Sequence, residues 1–341
     1  MRSRFVAMGI VLFLLGSTSC SEMNQPADLS ESPAAEASGS TVAYVTVVIG
    51  GDIAQAGRTQ YARANAALIT DRAGVSAVML TGDNSRYPGL GGLLRHYNTY
   101  YKPENQANWG QFDGMAFPTA GNHEYLEKNA QGYFDYFKDR MSEISALPSY
   151  HGYIDVVDKG YYSVDLNGWH IVGLNTNCAK LSDRSCAKGS AMEKWLSADL
   201  AAHPGMPILS LWHAPRYACG GEHGDDSSLQ ALWADLYAAR ADFVFTGHNH
   251  NYQHWRPLDD AKALDEKNGL TEIVVGSGGV DGYPACPDSK ETRIAKDIGG
   301  DPSMGAFFMV LGSDGSYSFE YQLQSDGSIF DKGQGNSHHA S

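Results

Sequence analysis

The sequence predicts an α/β fold with mixed β-sheets. Short apolar runs rich in β-branched residues recur along the chain, helical segments separate several of them, and paired alternating segments flank turn residues. The chain has 341 residues, of which 43% are hydrophobic, so it can bury a substantial core.

The elements follow one another in a regular order. Residues 42–49 and 75–80 are predicted strands, with a predicted helix over 58–73 between them. Residues 161–175 alternate as a hairpin with an Asn-Gly turn. The remaining predicted elements are helix 191–202, strand 208–212, helix 229–239, and strands 243–245, 273–275, 306–311 and 316–323.

Both ends of the chain are predicted to lie outside the folded domain. Residues 1–20 combine a basic start with an apolar stretch too short to span a bilayer, which is typical of an export signal. Cys20 then either accepts a lipid, as in a bacterial lipoprotein, or is incidental to a simply cleaved signal. Residues 21–41 have the composition of a disordered linker, the domain is expected over 42–325, and 326–341 is expected to be a C-terminal tail.

An exported protein is therefore predicted, whether periplasmic, anchored to the cell surface by lipid, or secreted. Contact with a membrane is expected only through a lipid on Cys20. The other four cysteines can all pair in an oxidising compartment, with four free thiols as the alternative. The short spacing of two of them leads to the predicted pairs Cys178–Cys186 and Cys219–Cys286.

The net charge of the chain indicates which kinds of ligand it can bind. A net charge of −14 disfavours nucleic acid as a large-scale partner, because an acidic surface repels the phosphate backbone. A small phosphate ester remains compatible, since bound divalent ions reverse the local field.

Side chains of the metal-binding type follow the predicted strands where they end. Functional sites of layered α/β folds gather outside the carboxyl ends of strands. Carboxylates, amides and imidazoles suit Zn, Mn or Fe, and two neighbouring ions need a bridging ligand. A two-metal hydrolytic site is therefore predicted from six residues: Asp52, Asp83, Asn122, His213, His248 and His250.

These residues lie in an ordered series of short motifs: Gly51-Asp52, Gly82-Asp83-Asn84, Gly121-Asn122-His123-Glu124, Trp212-His213 and Gly247-His248-Asn249-His250. The series resembles the calcineurin-like metallophosphoesterase family, and within it the purple acid phosphatase-like branch, over about residues 42–325. The resemblance implies a layered sandwich of two mixed β-sheets flanked by helices. It also implies metal-dependent hydrolysis of phosphate esters.

The resemblance further implies a role for each residue. Asp83 would bridge two ions, and Asp52 and His250 would complete the first ion's ligands. Asn122, His213 and His248 would hold the second ion. His123 would contact the substrate phosphate, and a water held by the ions would attack phosphorus. His223 or His123 would protonate the leaving group. Glu124 is expected to orient a ligand.

Two positions depart from the family pattern. Ala54 stands where many members carry a histidine ligand, and Arg86 stands where the purple branch carries a tyrosine ligand. We predict that Tyr87, one residue later, ligates the first ion. A tyrosinate favours Fe(III), so the expected pair is iron with iron, zinc or manganese; without it, zinc or manganese is expected.

Three functions are compatible with this pattern. The first is a phosphomonoesterase of the acid phosphatase type, acting on a small phosphate ester. The second is a phosphodiesterase or nucleotidase that uses the same site. The third is a non-catalytic phosphate- or metal-binding lipoprotein, which Ala54 and the displaced tyrosine favour and the full ligand set of the second ion opposes.

Overall fold

A computed structural model describes residues 41–87, 90–220, 222–287 and 291–340. The signal segment, Cys20 and all but the last residue of the linker lie outside the described residues, and the predictions for them stay predictions. Every helix within these ranges is too short or too polar to serve as a bilayer span.

Strands dominate the described residues. In chain order they are β1 (Tyr44–Gly50), β2 (Ala54–Gln55), β3 (Val75–Leu80), β4 (Ser85–Arg86), β5 (Ala116–Pro118), β6 (His151–Gly152), β7 (Tyr162–Leu166), β8 (Trp169–Gly173), β9 (Ile208–Leu211), β10 (Phe243–Thr246), β11 (Tyr252–Trp255), β12 (Thr271–Val275), β13 (Ile294–Ile298), β14 (Gly305–Gly312), β15 (Ser316–Leu323) and β16 (Ile329–Asn336).

The longer helices are α1 (Thr59–Asp71), α2 (Gln131–Ser145), α3 (Ala191–Ala202) and α4 (Gln230–Ala238). Shorter helical turns occur at Leu94–His96, Tyr97–Tyr101, Trp109–Met115, Glu124–Leu126, Lys128–Ala130, Cys178–Lys180, Ser227–Leu229 and Asp301–Ser303. Helix α3 begins at its predicted residue because the Ser190 hydroxyl accepts a hydrogen bond from the Glu193 N–H.

Two large mixed sheets form the body of the fold, as predicted. One sheet has the order β16-β15-β14-β1-β3-β5, and the other has the order β13-β11-β12-β10-β9-β8-β7-β6. Strands β1, β3 and β5 run parallel, and so do β8, β9, β10 and β12. A small third sheet pairs β2 with β4 in parallel, so that Gln55 lies opposite Arg86.

The sheets pack face to face across an apolar core. The Phe245 and Phe307 rings, one from each sheet, lie with their centroids 5.0 Å apart. The Tyr252 and Tyr321 rings stack across the same interface at 4.0 Å. A second apolar cluster lies between the larger sheet and helices α3 and α4, with Trp233 fully buried in it. The predicted layered sandwich with flanking helices is confirmed.

The predicted C-terminal tail needs correction. Residues 329–336 form strand β16, which pairs antiparallel with β15 at the edge of the first sheet. Gly333 and Gly335 lie opposite Phe319 and Tyr317, whose rings occupy the space that a Cβ would fill. A glycine-rich strand of this kind lacks apolar alternation, so its sequence does not resemble a strand.

Candidate metal centre

The parallel strands bring their carboxyl ends to one edge of the sandwich. The loops that follow β1 and β3 carry Asp52 and Asp83, and the loop after β9 carries His213. One ligand atom from each of these three residues lies within 4.8 Å of the others. All three side chains are buried, so the sandwich gathers them in a protected site.

The loops hold these side chains through an unusual backbone conformation. Asp52, Asp83 and His248 adopt φ angles of 55°, 51° and 66°, which non-glycine residues rarely do. The Asp52 N–H donates to the Gly82 carbonyl at 3.0 Å, so the loops after β1 and β3 are directly linked. Strain of this kind persists only where the surrounding structure imposes it, and it is common at functional sites.

Main-chain acceptors orient two of the histidines. His213 Nδ1 donates to the Thr81 carbonyl at 2.9 Å, and His250 Nδ1 donates to the Asp281 carbonyl at 2.8 Å. In the neutral rings the lone pair is then on Nε2, which faces the cluster. His250 Nε2 lies 3.3 Å from Asp52 Oδ1. This arrangement is typical of metal-binding histidines, whose second nitrogen is fixed by a hydrogen bond.

The donor set around His213 fits a cation. His213 Nε2 lies 2.8 Å from Asn122 Oδ1 and 3.5 Å from Asp83 Oδ1. Asp52 Oδ1 and Asp83 Oδ2 are buried and have no hydrogen-bond partner among the described residues. Leaving buried carboxylate oxygens unpartnered is costly, and a metal ion bound between these acceptors would satisfy them.

The pKa shifts of the site residues follow from burial and from the charges of their neighbours. Burial opposes ionisation of Asp83, but His213 and His123 outweigh it and hold the pKa of that carboxyl below its usual range. Burial also opposes the charge on His213, yet the Asp83 and Asp52 carboxylates raise its pKa. Burial and the neighbouring His213 lower the pKa of His248 to about 3, so this imidazole is neutral and free to bind metal.

His123 and His223, predicted to contact the substrate, lie at the edge of this cluster. His123 Nε2 is 3.8 Å from Asp83 Oδ2. The His223 ring stacks on His248 with centroids 3.8 Å apart, and Asn249 holds its backbone through two hydrogen bonds. Burial lowers the pKa of both histidines.

Glu124 links the loops beneath the centre. It is fully buried, and its carboxylate accepts hydrogen bonds from the N–H groups of Asp83 and Gly121 on one oxygen. The other oxygen accepts from the Asn84 N–H and the Tyr97 hydroxyl. Glu124 therefore positions the loop that presents Asp83.

Tyr87 is not brought to the cluster, which corrects the predicted ligand set. Its side chain is 43% exposed, and its ring stacks on His96. Arg86 is only 6% exposed, and its guanidinium reaches His123 Nε2 at 2.7 Å. Successive side chains of an extended segment point to opposite sides, so only one of Arg86 and Tyr87 can point into the site.

Sequence reasoning missed the loop after β12. Its Asp281 carbonyl orients His250, and the Tyr283 ring stacks on His250 with centroids 4.0 Å apart. The available signal was the glycine-rich stretch 276–282, because glycine permits close backbone approach. Gly278 illustrates this, since a Cβ on it would meet the Gly51 carbonyl oxygen at 2.5 Å.

Both predicted disulfides are confirmed. Cys178 is bonded to Cys186, and Cys219 is bonded to Cys286. The second bond ties the segment that precedes His223 to the loop that carries Tyr283. It therefore joins two loops that border the centre.

Comparison with known proteins identifies a family and several relatives that match part of this chain. Residues 45–252 match the sequence profile of the family described as calcineurin-like phosphoesterase. Purple acid phosphatase 22 of Arabidopsis thaliana is 29% identical over 191 residues, which cover 52% of this chain and 42% of that protein. A nucleotide pyrophosphatase/phosphodiesterase of Hordeum vulgare is 26% identical over 258 residues, which cover 66% of each chain.

A solved structure shows the same fold. The purple acid phosphatase PPD1 from yellow lupin (Lupinus luteus) seeds superposes with a TM-score of 0.59 at 18% identity, covering 86% of this chain and 53% of that one. The chain spans at most 66% of the length of the two curated relatives.

Proposed function

The chain belongs to the calcineurin-like phosphoesterase family, and from this we propose that it is a metal-dependent hydrolase of phosphate monoesters, of the acid phosphatase type. The observation that carries the proposal is a cluster of largely buried carboxylate, amide and imidazole groups whose metal-binding atoms face one another. Carboxylate, amide and imidazole donors converge there, and two carboxylate oxygens have no partner among the described residues.

The purple acid phosphatase relatives and the residue cluster suggest dinuclear metal use. One ion would be held by Asp83, Asn122, His213 and His248. The donors for the other would be Asp52, Asp83 and His250. Bound metal supplies Lewis acidity, which polarises a phosphoryl oxygen and lowers the pKa of water towards neutrality. With Tyr87 outside the cluster, zinc or manganese suits these donors better than Fe(III).

The chain's own side chains would bind the ester and manage its protons. His123 lies beside Asp83, and its Nε2 accepts a hydrogen bond from Arg86 Nη1 at 2.7 Å, so the two side chains are placed to contact the phosphate together. His223 is placed to protonate the departing alkoxide. Burial lowers its pKa below the ordinary value, so the protonated form that this role needs becomes more populated as the pH falls. We therefore expect kcat to rise as the pH is lowered from neutrality, which a pH profile of p-nitrophenyl phosphate hydrolysis measures.

A diester substrate is the second candidate. The Hordeum vulgare relative is named a nucleotide pyrophosphatase/phosphodiesterase, and its match covers more of this chain than the purple acid phosphatase match does. Ester choice depends on the shape of the cleft rather than on the metal ligands.

Direct assay of both ester classes tests the proposal. The purified full chain should hydrolyse p-nitrophenyl phosphate faster than its bis ester and lose activity after chelation. Asp83→Ala should lose bound metal and nearly all turnover, whereas Asp71→Ala, an exposed aspartate of α1, should match the wild type. Faster cleavage of the bis ester would favour the diesterase. Bound metal without turnover would favour the non-catalytic lipoprotein.

We also propose that the protein is exported. Two disulfides fit an oxidising compartment, because thiols of cytosolic proteins are usually kept reduced. Lipidation of Cys20 remains part of this proposal and is tested by mass spectrometry of the mature N-terminus.

A further inference from the structure

The two sides of the metal centre are not equivalent in the described part of the chain, because Arg86 lies on the side of Asp52 and His250. Arg86 points its guanidinium at the Asp52–His250 side. Its Nη2 lies 3.4 Å from His250 Nε2, and its Nη1 lies 3.8 Å from Asp83 Oδ2. His250 Nε2 and Asp83 Oδ2 are two of the atoms that would bind an ion on this side.

The position of Arg86 is built into the fold. Strand β4 pairs with β2, which places Arg86 opposite Gln55, and the Arg86 Nε–H donates to Gln55 Oε1 at 2.9 Å. Arg86 Nη2 also lies 3.4 Å from Asp281 Oδ1. The side chain is 6% exposed, so leaving this position would require the loss of several contacts.

The residue beside Gln55 adds to the asymmetry. Ala54 is fully buried and offers no side-chain ligand, so among the described residues the candidate ligands on this side are Asp52, Asp83 and His250. The other side has four, with Asn122 Oδ1 already 2.8 Å from His213 Nε2. An ion bound to His250 Nε2 at about 2.1 Å would lie close to a fixed positive charge.

We propose that the Arg86 guanidinium replaces the first metal ion, so that the protein holds one tightly bound ion, on the Asn122/His213/His248 side. This rests on the proposed metal-dependent hydrolysis and departs from it only in the number of bound ions. The guanidinium supplies positive charge beside Asp83 and His250 without needing metal ligands. Its Nη1, which lies beside His123 Nε2, is also placed to donate to a phosphate oxygen.

Metal stoichiometry tests the proposal without relying on turnover. The folded full chain is loaded with Zn²⁺, dialysed, and measured by plasma mass spectrometry. The wild type should hold one ion per chain. Arg86→Met should hold two, and Arg86→Lys, which keeps the charge, should hold one. The matched control is Arg216→Met. The Arg216 guanidinium donates to Gln230 Oε1 rather than to a residue of the centre, so this variant should still hold one ion per chain.

A second pair of variants locates the ion. His213→Ala should bind none, while His250→Ala should still bind one; circular dichroism confirms that each variant is folded. Two ions in the wild type, one ion in Arg86→Met, or loss of the ion in His250→Ala would each overturn the role of Arg86. If the wild type holds two ions and hydrolyses the monoester, only this inference fails. If it holds none, the proposed function fails as well.

Discussion

Replacing Glu124 by glutamine should show how strongly the buried carboxylate holds the centre together. Both carboxylate oxygens are used, and all four partners are donors: three backbone N–H groups and the Tyr97 hydroxyl. Glutamine has one acceptor oxygen. In the most favourable orientation of the amide, that oxygen still accepts hydrogen bonds from the Asp83 and Gly121 N–H groups. The Tyr97 hydroxyl can rotate to accept a hydrogen bond from the amide NH₂. The Asn84 N–H then faces another donor.

The expected loss of stability follows from the number of hydrogen bonds that glutamine cannot retain. One buried N–H left without an acceptor costs about 1–3 kcal/mol, and loss of the charged acceptor weakens the remaining bonds. We therefore expect Glu124→Gln to lower the free energy of unfolding by about 2–4 kcal/mol. Because Asp83 is presented by the same loop, kcat/KM on p-nitrophenyl phosphate should fall about 10- to 100-fold.

The matched control is Glu127→Gln, three residues along the chain. Glu127 accepts one hydrogen bond, from the Gly132 N–H at 2.7 Å, which an amide oxygen can retain. Burial and the Asp83 charge raise the pKa of Glu124 to about 7, so urea unfolding is measured at about pH 8, where the carboxylate is ionised. If Glu124→Gln and Glu127→Gln change stability equally and both keep full activity, the reasoning is wrong.

Three further predictions address other parts of the molecule. Replacing Cys219 and Cys286 by serine removes a bond that closes 67 residues and should lower the free energy of unfolding by about 4 kcal/mol, measured in urea; an unchanged midpoint would contradict this. Burial opposes the charge on His170, but hydrogen bonds to the carboxylates of Asp199 and Asp165 raise its pKa. Protonated His170 therefore stabilises the folded state fully below about pH 6.5, and this contribution is lost as the pH rises through the raised pKa. His170→Gln should therefore lower Tm more at about pH 5 than at about pH 9, and an equal loss at both would refute the shift. Tyr87→Phe should leave metal content and visible absorbance unchanged, whereas loss of an ion would return Tyr87 to the ligand set.

Much of the fold was predictable because it depends on local patterns. Helix α3 and strands β3 and β15 have the predicted bounds, since periodicity and caps lie within the segments themselves. The hairpin turn at Asn167-Gly168 formed as expected, with both residues at positive φ. Strand β16 was missed because its stability comes from pairing with β15, a partner that its own glycine-rich sequence does not reveal.

The sequence by itself determined which residue types reach the centre and in what order. A polar side chain that follows a parallel strand lies at a defined edge of the sheet, so the sequence alone places Asp52, Asp83 and His213 together. Only the tertiary structure decided between Arg86 and Tyr87. Adjacent residues in a strand face opposite sides, and the pairing of β4 with β2 selects which one points inward. That choice puts a fixed positive charge where the family pattern has a metal ligand.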